Sequence, residues 1–341
     1  MNHAVSEADA SPSSVAEPAG LLTAGLPLAD GGGPLHRTVI GPHRGWRLIN
    51  VGELWQYREL LYFLAVRDVK VRYKQTLLGA AWAVLQPFMM MIVFTVFLGR
   101  MARVSSADYP YPLFVYAGLL PWSFFATAVA NAGNSVVGSE RLITKIYFPR
   151  LAIPFAAVGA ALVDFCIAFA MLLAMMAWYH VAPGSGLLLV PVLVTILAAA
   201  ALGVGALLAA LNVAYRDFRY VIPFLLQLWM FATPTVYLAA TADRPPTEHS
   251  SPAAAASLEA GTSAPAGSRE SDAPDPGIPA WVGGLLQLNP LTGLVGVFRA
   301  AMLGGPMSFE RLALSALGAL GFFVLGCLYF RRVEDSFADV I

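Results

Sequence analysis

Six long apolar stretches constrain the fold of this chain more than any other feature of its sequence. A helix needs about 20 mostly apolar residues to cross the hydrocarbon core of a bilayer. The stretches that reach about this length are 77–98, 112–137, 151–179, 187–214, 221–240 and 312–330. They predict an all-α integral membrane protein with six transmembrane helices.

Charged residues are scarce, as expected for a chain whose main solvent is lipid. They make up 12% of the sequence, whereas a soluble domain has about 25%. The formal net charge is zero, so no overall basic field indicates a nucleic-acid partner. The two cysteines are far apart, which excludes a CxxC-type zinc or redox site. No His, Asp and Glu cluster suits a metal or acid–base catalysis, so we expect no metal, no cofactor and no enzymatic activity.

The positive charges are distributed unevenly between alternate sides of the six stretches. Fifteen of the 21 Lys and Arg residues lie before the first stretch or after the second, fourth and sixth, and six lie on the other side. Lys and Arg concentrate in the cytoplasmic loops of membrane proteins. We therefore expect both chain ends in the cytoplasm.

Two segments have a composition that cannot bury a core. Residues 1–48 are rich in Ala, Pro, Ser and Gly, and residues 241–280 are rich in Ala, Pro, Ser, Glu and Asp. Such compositions are typical of disordered chain. We predict a disordered cytoplasmic tail at 1–48 and a disordered periplasmic insert at 241–280, within a membrane domain that covers 49–341.

A basic segment before the first stretch, 53–76, predicts a helix on the membrane surface. Its apolar residues recur at three- and four-residue spacing, and they are Leu54, Tyr57, Leu61, Leu64 and Ala65. The basic residues interleaved with them are Arg58, Arg67, Lys70 and Lys74. This pattern is typical of an amphipathic helix in the cytoplasmic headgroup plane. The alternative is a charge cluster that only sets the topology.

Two predicted cytoplasmic loops carry more apolar groups than a simple connection needs. The first, 138–150, contains Arg141, Leu142, Ile143, Lys145, Ile146, Tyr147 and Phe148. The second contains Tyr215, Arg216, Asp217, Phe218, Arg219 and Tyr220. Apolar groups held in water mark an interaction site, so the pair predicts docking surfaces for a partner. Since the sequence has no GxxxxGK[ST] phosphate-binding loop, a second polypeptide must hydrolyse ATP if transport uses it.

A seventh apolar stretch, 281–303, is too broken to cross a membrane. Asn289-Pro290 interrupts it, and a second break is expected near Arg299. Proline removes a backbone donor and restricts the residue before it. We predict two short re-entrant or interfacial helices on the periplasmic side.

Asp164 lies near the middle of the third stretch, where an ionisable group is costly and is by default a functional candidate. No Lys or Arg within a membrane-spanning stretch offers it a partner. We expect Asp164 to be protonated, or to be hydrogen-bonded to Asn131, Asn134 or Asn212. Its role would be a structural contact, or a part in a conduit or in proton transfer.

Five runs of the sequence resemble a known family of transporters. In chain order they are RDVKVRYKQTLLGAAWAVLQPF, YAGLLPWSFF, SERLITKIYFPR, NVAYRDFRYVIP and LNPLTGLVGVFRAAML. From about residue 50 to the C-terminus, the chain resembles the permeases of ABC transporters that export O-antigen, capsule or teichoic acid. The segment 241–280 departs from the short connection that this family usually has there.

The resemblance implies a function and a set of partners. It implies a homodimer of six-span subunits in the bacterial cytoplasmic membrane, bound to two copies of a separate ATPase subunit that holds the ATP. The two loops would be coupling helices at 139–150 and 215–220, and the broken stretch would form periplasmic gate helices. The cargo would be an undecaprenyl-diphosphate-linked glycan that passes through a conduit enclosed by the dimer.

Aromatic and basic residues are candidates for contacts with such a cargo. A glycan conduit needs aromatic platforms for sugar faces, and the conduit candidates are Trp82, Tyr116, Trp122, Phe125 and Asp164. Guanidinium and ammonium groups suit phosphate, and the candidates for the lipid diphosphate are Arg67, Lys70, Arg72 and Lys74. The alternatives are that the aromatic residues only anchor the protein in the membrane and that the basic residues only set its topology. Two other functions stay open: a related ABC permease for a drug or another lipid, and a self-contained membrane transporter or enzyme.

Overall fold

The computed structural model describes residues 51–74, 76, 79–101, 109–145, 148–233, 289–334 and 337. All regular secondary structure in these ranges is helical, which confirms the all-α prediction for this part of the chain. The predicted tail at 1–48 and the predicted insert at 241–280 lie outside the described residues.

Ten α-helices lie in the described ranges. In chain order they are α1 (Val51–Gln56), α2 (Arg58–Tyr73), α3 (Ala81–Phe94), α4 (Tyr111–Gly138), α5 (Glu140–Ile143), α6 (Ala152–Trp178), α7 (Val190–Ala214), α8 (Phe218–Phe231), α9 (Pro290–Leu303) and α10 (Phe309–Val333). A π-helical segment, Thr95–Met101, continues α3, and a 3₁₀ turn over Ser185–Leu189 leads into α7.

Four helices are long and apolar enough to cross a membrane, namely α4, α6, α7 together with the turn before it, and α10. They coincide with the predicted spans two, three, four and six, and they make the chain a multi-pass membrane protein. The helices at the positions of spans one and five, α3 and α8, have 14 residues each. The six-span architecture therefore stays a prediction.

The core is built around α4, which is buried along most of its length. Its neighbours α6 and α7 pack along it, and α9 adds the buried Phe298 to the same cluster. Water does not drive helices together inside a bilayer, so their association depends on close packing and hydrogen bonds. The large side chains Tyr116 and Phe125 fill the space between the helices of this core.

A pair of glycines brings α7 and α10 into backbone contact. A methyl group added at Gly326 would lie 1.8 Å from the Gly203 carbonyl oxygen, and one added at Gly203 would lie 2.3 Å from the Phe322 carbonyl oxygen. Only a hydrogen fits at these two positions. Small residues at helix contacts are a usual means of close approach in membranes.

A second apolar cluster closes the end of the bundle where α4, α7 and α10 end and α6 begins. We call this the basic end, because Arg141, Lys145, Arg216 and Arg219 lie there. The cluster contains the buried side chains of Val136, Ile143, Phe148, Leu151, Val213, Phe330 and Phe337. Tyr57 and Leu61 pack against it and attach α2 and the residue before it to the bundle.

The predicted surface helix is present as two helices, α1 and α2, that meet at Tyr57. Leu64 is buried, and Leu61 and Ala65 are half-buried, because this face of α2 packs against α6. The predicted apolar stripe therefore faces the protein. Other aromatic side chains, including Tyr62 and Phe63, are exposed on α2.

The break predicted at Asn289-Pro290 coincides with the start of α9. Asn289 is the N-cap residue, and its side-chain oxygen accepts the Leu291 N–H at 3.1 Å, as expected for asparagine before a first-turn proline. The second break, predicted near Arg299, is wrong, because α9 continues through this residue to Leu303. The guanidinium of Arg299 lies 3.9 Å from the centre of the Phe114 ring, and this cation–π contact gives the charge a partner inside the bundle.

The glycine contact leads to a stability prediction. The Gly326→Ala substitution should force α7 and α10 apart and lower the free energy of unfolding by about 1–3 kcal/mol, the usual cost of overpacking. The lower stability would appear as a lower midpoint of thermal unfolding in detergent.

The matched control is Gly321→Ala in the same helix, where an added methyl group meets no atom within 4 Å. Its midpoint should stay at the wild-type value or rise slightly, because alanine favours helix. Equal midpoints for the two variants would contradict the close approach of α7 and α10.

Candidate functional site

An ion pair between α2 and α6 supplies the partner that the sequence did not reveal for Asp164. The Arg72 guanidinium donates a hydrogen bond to one carboxylate oxygen of Asp164, and the Tyr73 hydroxyl donates to the other. Both donors lie at the end of α2 and precede the first apolar stretch. The expectation that Asp164 lacks a basic partner is therefore wrong, because Arg72 on α2 contacts one of its carboxyl oxygens and Tyr73 contacts the other.

The pair is partly shielded from solvent. The side chain of Asp164 is 16% exposed and that of Arg72 is 30% exposed. Burial raises the pKa of the Tyr73 hydroxyl above its ordinary value, and the charge of Arg72 only partly opposes this effect. Tyr73 therefore stays protonated at neutral pH and remains a donor to Asp164.

The asparagines that were expected to contact Asp164 have other positions. Asn212 donates to the Gly133 carbonyl at 3.0 Å and to the Asn134 side-chain oxygen at 3.1 Å. These bonds join α7 to α4. Asn131 faces a cavity, and its buried Nδ2 atom has no hydrogen-bond partner among the described residues. The predicted hydrogen bonds to Asp164 are thus replaced by those of Arg72 and Tyr73.

The Arg72–Asp164 pair borders a cavity of about 320 Å³ between α2, α3, α4 and α6. The polar residues that line it are Arg72, Tyr73, Thr76, Gln86, Ser123, Thr127, Asn131 and Asp164, and the apolar ones include Trp82, Leu120, Phe124 and Phe165. Apolar walls with a few placed polar groups are typical of small-ligand sites. Among the described side chains, no group of three or more His, Cys, Asp or Glu could hold a metal ion.

The conduit candidates divide into two groups. Trp82 is 53% exposed and, with Asp164, lines the cavity. Tyr116, Trp122 and Phe125 are buried in the core of the subunit. The Tyr116 hydroxyl donates to the Ala168 carbonyl at 3.1 Å, and Phe125 packs edge-on against Trp229. These three side chains pack inside the described subunit, and their assignment to a conduit stays a prediction.

The basic residues that were predicted to contact the lipid diphosphate also fall into two groups. Arg72 is engaged by Asp164, and Arg67 lies 2.9 Å from its neighbour Asp68. Lys70 and Lys74 are exposed on α2. The positive charge that is open to a lipid phosphate is therefore carried mainly by the two lysines and not by Arg72.

The first predicted coupling loop is only partly helical and largely packed against its own subunit. Its helix, α5, spans four residues. Ile143 and Phe148 are buried in the cluster at the basic end, which corrects the prediction that their side chains face a partner. Arg141 and Lys145 are exposed and Leu142 is half-buried, whereas Ile146 and Tyr147 lie outside the described residues.

The second predicted coupling loop is open to solvent. Tyr215 is 63% exposed and Tyr220 is 78% exposed. Arg216, Asp217 and Arg219 are also exposed, and Phe218 is half-buried, with its ring centre 6.3 Å from that of Tyr215. The aromatic and charged side chains of this loop form one accessible surface at the start of α8.

A hydrogen-bonded junction joins the other end of α8 to the start of α9. The Trp229 indole N–H donates to the Asn289 side-chain oxygen at 3.1 Å. The Asn289 amide nitrogen donates to the Ala232 carbonyl at 3.2 Å and to the Thr233 hydroxyl at 2.9 Å. Thr233 is fully buried. Moving α8 away from α9 at this point would therefore break several partly buried hydrogen bonds.

Comparison with known proteins identifies the family of this arrangement. The sequence profile of the ABC-2 type transporter family matches residues 59–244. The matched segment extends from the start of α2 past the end of α8. The chain belongs to the ABC-2 type transporter family.

This ABC-2 family chain has relatives that are named as export permeases. An O-antigen export system permease protein RfbA of Myxococcus xanthus is 35% identical over 191 residues, which are 56% of this chain and 73% of that protein. A protein of the same name from Klebsiella pneumoniae is 22% identical over 293 residues, or 86% of this chain and 97% of that protein.

Several residues at the ion pair, the junction and the cavity of this ABC-2 permease were not predicted from the sequence. Tyr73 at the ion pair, Trp229 and Thr233 at the junction, and the cavity residues Ser123 and Thr127 were not singled out. A signal was present for the last two, because Ser123, Thr127 and Asn131 recur every four residues in a span, the spacing of one helical face. The positions of Tyr73 and Trp229 depend on how distant helices pack.

The ion pair leads to a prediction for this permease. The Asp164→Leu substitution should lower the free energy of unfolding by about 1–3 kcal/mol, between the values for exposed and fully buried pairs. It leaves Arg72 uncompensated. The double variant Arg72→Leu, Asp164→Leu should recover part of the loss, because no unpaired charge remains. Chemical or thermal unfolding of these two variants and of the single variant Arg72→Leu measures the coupling.

Asp68→Leu is the control, because it removes a carboxylate paired with an exposed arginine. Such a pair contributes at most about 1 kcal/mol. Strictly additive losses in the Arg72 and Asp164 double variant would contradict a direct interaction between the two side chains.

Proposed function

We propose that this chain is the six-span membrane subunit of an ABC exporter that moves a lipid-linked polysaccharide across the bacterial cytoplasmic membrane. It acts as a homodimer with two copies of a separate ATPase, and both chain ends are cytoplasmic. The observation that carries the proposal is the 35% identity to an O-antigen export permease in a chain of the ABC-2 family. O-antigen, capsule and teichoic acid type glycans are the cargo class.

The exposed loop at the start of α8 supports docking to an ATPase. Tyrosine and arginine are enriched among residues that dominate binding energy at protein interfaces. Tyr215, Arg216 and Tyr220 are all exposed there, and Arg141 and Lys145 lie at the same basic end. In the proposal the second loop supplies the main contacts and the first loop supplies a charged rim.

The junction at Asn289 supports a mechanical role for α8. This helix begins at the exposed loop and ends at hydrogen bonds to the cap of α9, the proposed gate helix. A helix of 14 residues is about 21 Å long at 1.5 Å per residue. A displacement of the loop by the ATPase would therefore reach the gate helix through a stiff element.

The exposed lysines of α2 support an approach of the lipid carrier along this helix. Lys70 and Lys74 project from α2, and each basic group near an anionic membrane surface contributes about 1 kcal/mol. In the proposal they attract the diphosphate of the carrier. Arg72 has a structural task at Asp164 instead.

Removing the two exposed tyrosines tests ATPase docking. The Tyr215→Ala, Tyr220→Ala double variant should weaken binding of the ATPase subunit by about tenfold or more, since residues that dominate interfaces cost 1.4 kcal/mol or more when truncated. Co-purification from membranes and ATPase assays of the complex measure the loss.

The control variant is Trp178→Ala, Tyr179→Ala at the far end of α6, where both aromatic side chains are exposed. This variant should bind the ATPase normally. Normal binding by the Tyr215 and Tyr220 variant, or failure of the wild-type chain to bind any ATPase, would contradict the proposed function.

A second variant tests the route through α8. Asn289→Ala removes the junction and the cap of α9, so the complex should still bind its ATPase and hydrolyse ATP while glycan export falls by about tenfold. Trp229→Phe should have a smaller effect, because it keeps the ring and loses one hydrogen bond. If export per ATP hydrolysed is unchanged in Asn289→Ala, the junction has no part in coupling.

A further inference from the structure

The cavity beside the Arg72–Asp164 pair carries a polar stripe on α4. Ser123, Thr127 and Asn131 follow at intervals of four residues, and all three line the cavity. Polar side chains in a membrane-spanning helix are costly and usually face a water-filled or ligand-filled space. Three in a row on one face of a mostly apolar helix indicate a surface that receives a polar group.

One donor of this stripe has no partner. The side-chain nitrogen of Asn131 is buried and makes no hydrogen bond within the described part of the chain. Leaving such a group unsatisfied costs about 1–3 kcal/mol. A hydroxyl group in the cavity would satisfy it.

Helix α3 supplies an aromatic platform at the same cavity. Trp82 of α3 lies at the edge of the cavity with 53% of its surface exposed. Gln86, one turn further along α3, adds an amide that can both donate and accept. An indole face beside hydroxyl and amide groups suits a ring that has an apolar face and a polar rim, as sugar rings have.

The net charge of the residues that line the cavity indicates whether the cavity suits a sugar or a phosphate group as ligand. The only ions among the lining residues are Arg72 and Asp164, and they neutralise each other. A phosphate group needs an uncompensated cation or several aligned donors, whereas sugar hydroxyls pair with neutral groups that donate and accept. The described lining therefore disfavours a phosphate and favours a neutral, hydroxyl-rich group.

The surroundings indicate that the ligand has a lipid tail. Beyond the cavity, α3 exposes Met89, Met90 and Val93, an apolar surface that acyl chains can cover. The cavity volume of about 320 Å³ lies at the lower end of the range for ligand pockets, so a single sugar unit fits better than a long glycan.

We propose that this cavity binds the neutral sugar headgroup of a membrane amphiphile, with Trp82 stacked on the sugar ring and Asn131 donating to a hydroxyl. The inference rests on the proposed function, where the amphiphile is the lipid-linked glycan. It assigns sugar recognition to a pocket inside one subunit. The lysines of α2 remain outside this pocket, where they meet the diphosphate.

The test uses the complex of permease and ATPase, extracted with a detergent that has no sugar headgroup and placed in nanodiscs. The probe is a dodecyl maltoside that carries a diazirine next to the maltose. After illumination, mass spectrometry of peptides should find the label on α3 and α4. Excess dodecyl maltoside should reduce the label strongly, and neither dodecylphosphocholine nor free maltose should do so.

Two cavity variants and two controls make the result specific. Trp82→Ala and Asn131→Leu should each lower the labelling about fivefold to tenfold, the effect of losing one stacking or hydrogen-bonding contact. Trp82→Phe keeps an aromatic platform and should retain most of the labelling. Trp178→Ala removes an exposed tryptophan outside this cavity and should label as the wild type does.

The outcomes separate this inference from the proposed function. Equal labelling of the wild type and both cavity variants would overturn the sugar site, as would equal competition by dodecylphosphocholine or by free maltose. Association with the ATPase is measured in the same samples. A complex that forms while the cavity variants label normally contradicts only the sugar site, whereas a chain that binds no ATPase contradicts the proposed function.

Discussion

The ion pair between Arg72 and Asp164 is the interaction on which the arrangement of the candidate site depends. A carboxylate in a membrane-crossing helix is costly unless another group neutralises it. Arg72 provides the charge and Tyr73 provides a second hydrogen bond, so the end of α2 is attached to α6. This attachment gives the cavity one of its walls and leaves its lining without net charge. The same pair removes Arg72 from the basic surface that is open to lipid phosphates.

The two ends of α8 form the proposed link between the ATPase subunit and the gate helix. At the basic end, Tyr215 and Tyr220 are exposed. At the other end, Asn289 is bonded to the last turn of α8 and caps α9. Hydrogen bonds that are partly shielded from water resist rearrangement, because a broken bond leaves a polar group with less water to replace its partner. A permease that takes its energy from another subunit needs such a stiff connection.

Much of the fold could be predicted from the sequence, because it follows from local patterns. Apolar stretches of sufficient length became α4, α6, α7 and α10, and the Asn-Pro pair marked the start of α9. The partner of Asp164 could not be predicted, since Arg72 lies 92 positions away on a helix whose packing no local pattern encodes. For the same reason the burial of the aromatic residues Trp122 and Phe125, which were assigned to a conduit, could not be predicted. The spacing of apolar residues and the composition show which helix faces are apolar. They do not show whether an apolar side chain contacts lipid, cargo or a neighbouring helix.

The proposed export activity is tested by measuring transport of a lipid-linked glycan by the purified permease and ATPase. Inside-out proteoliposomes would carry the glycolipid on their outer leaflet, and a lectin would report how much of it stays accessible from outside. ATP should make the glycan inaccessible only in vesicles that contain both proteins, and a catalytically dead ATPase should abolish the effect. Movement of the glycan by the permease without ATP, or no movement with both proteins and ATP, would contradict the proposed export activity.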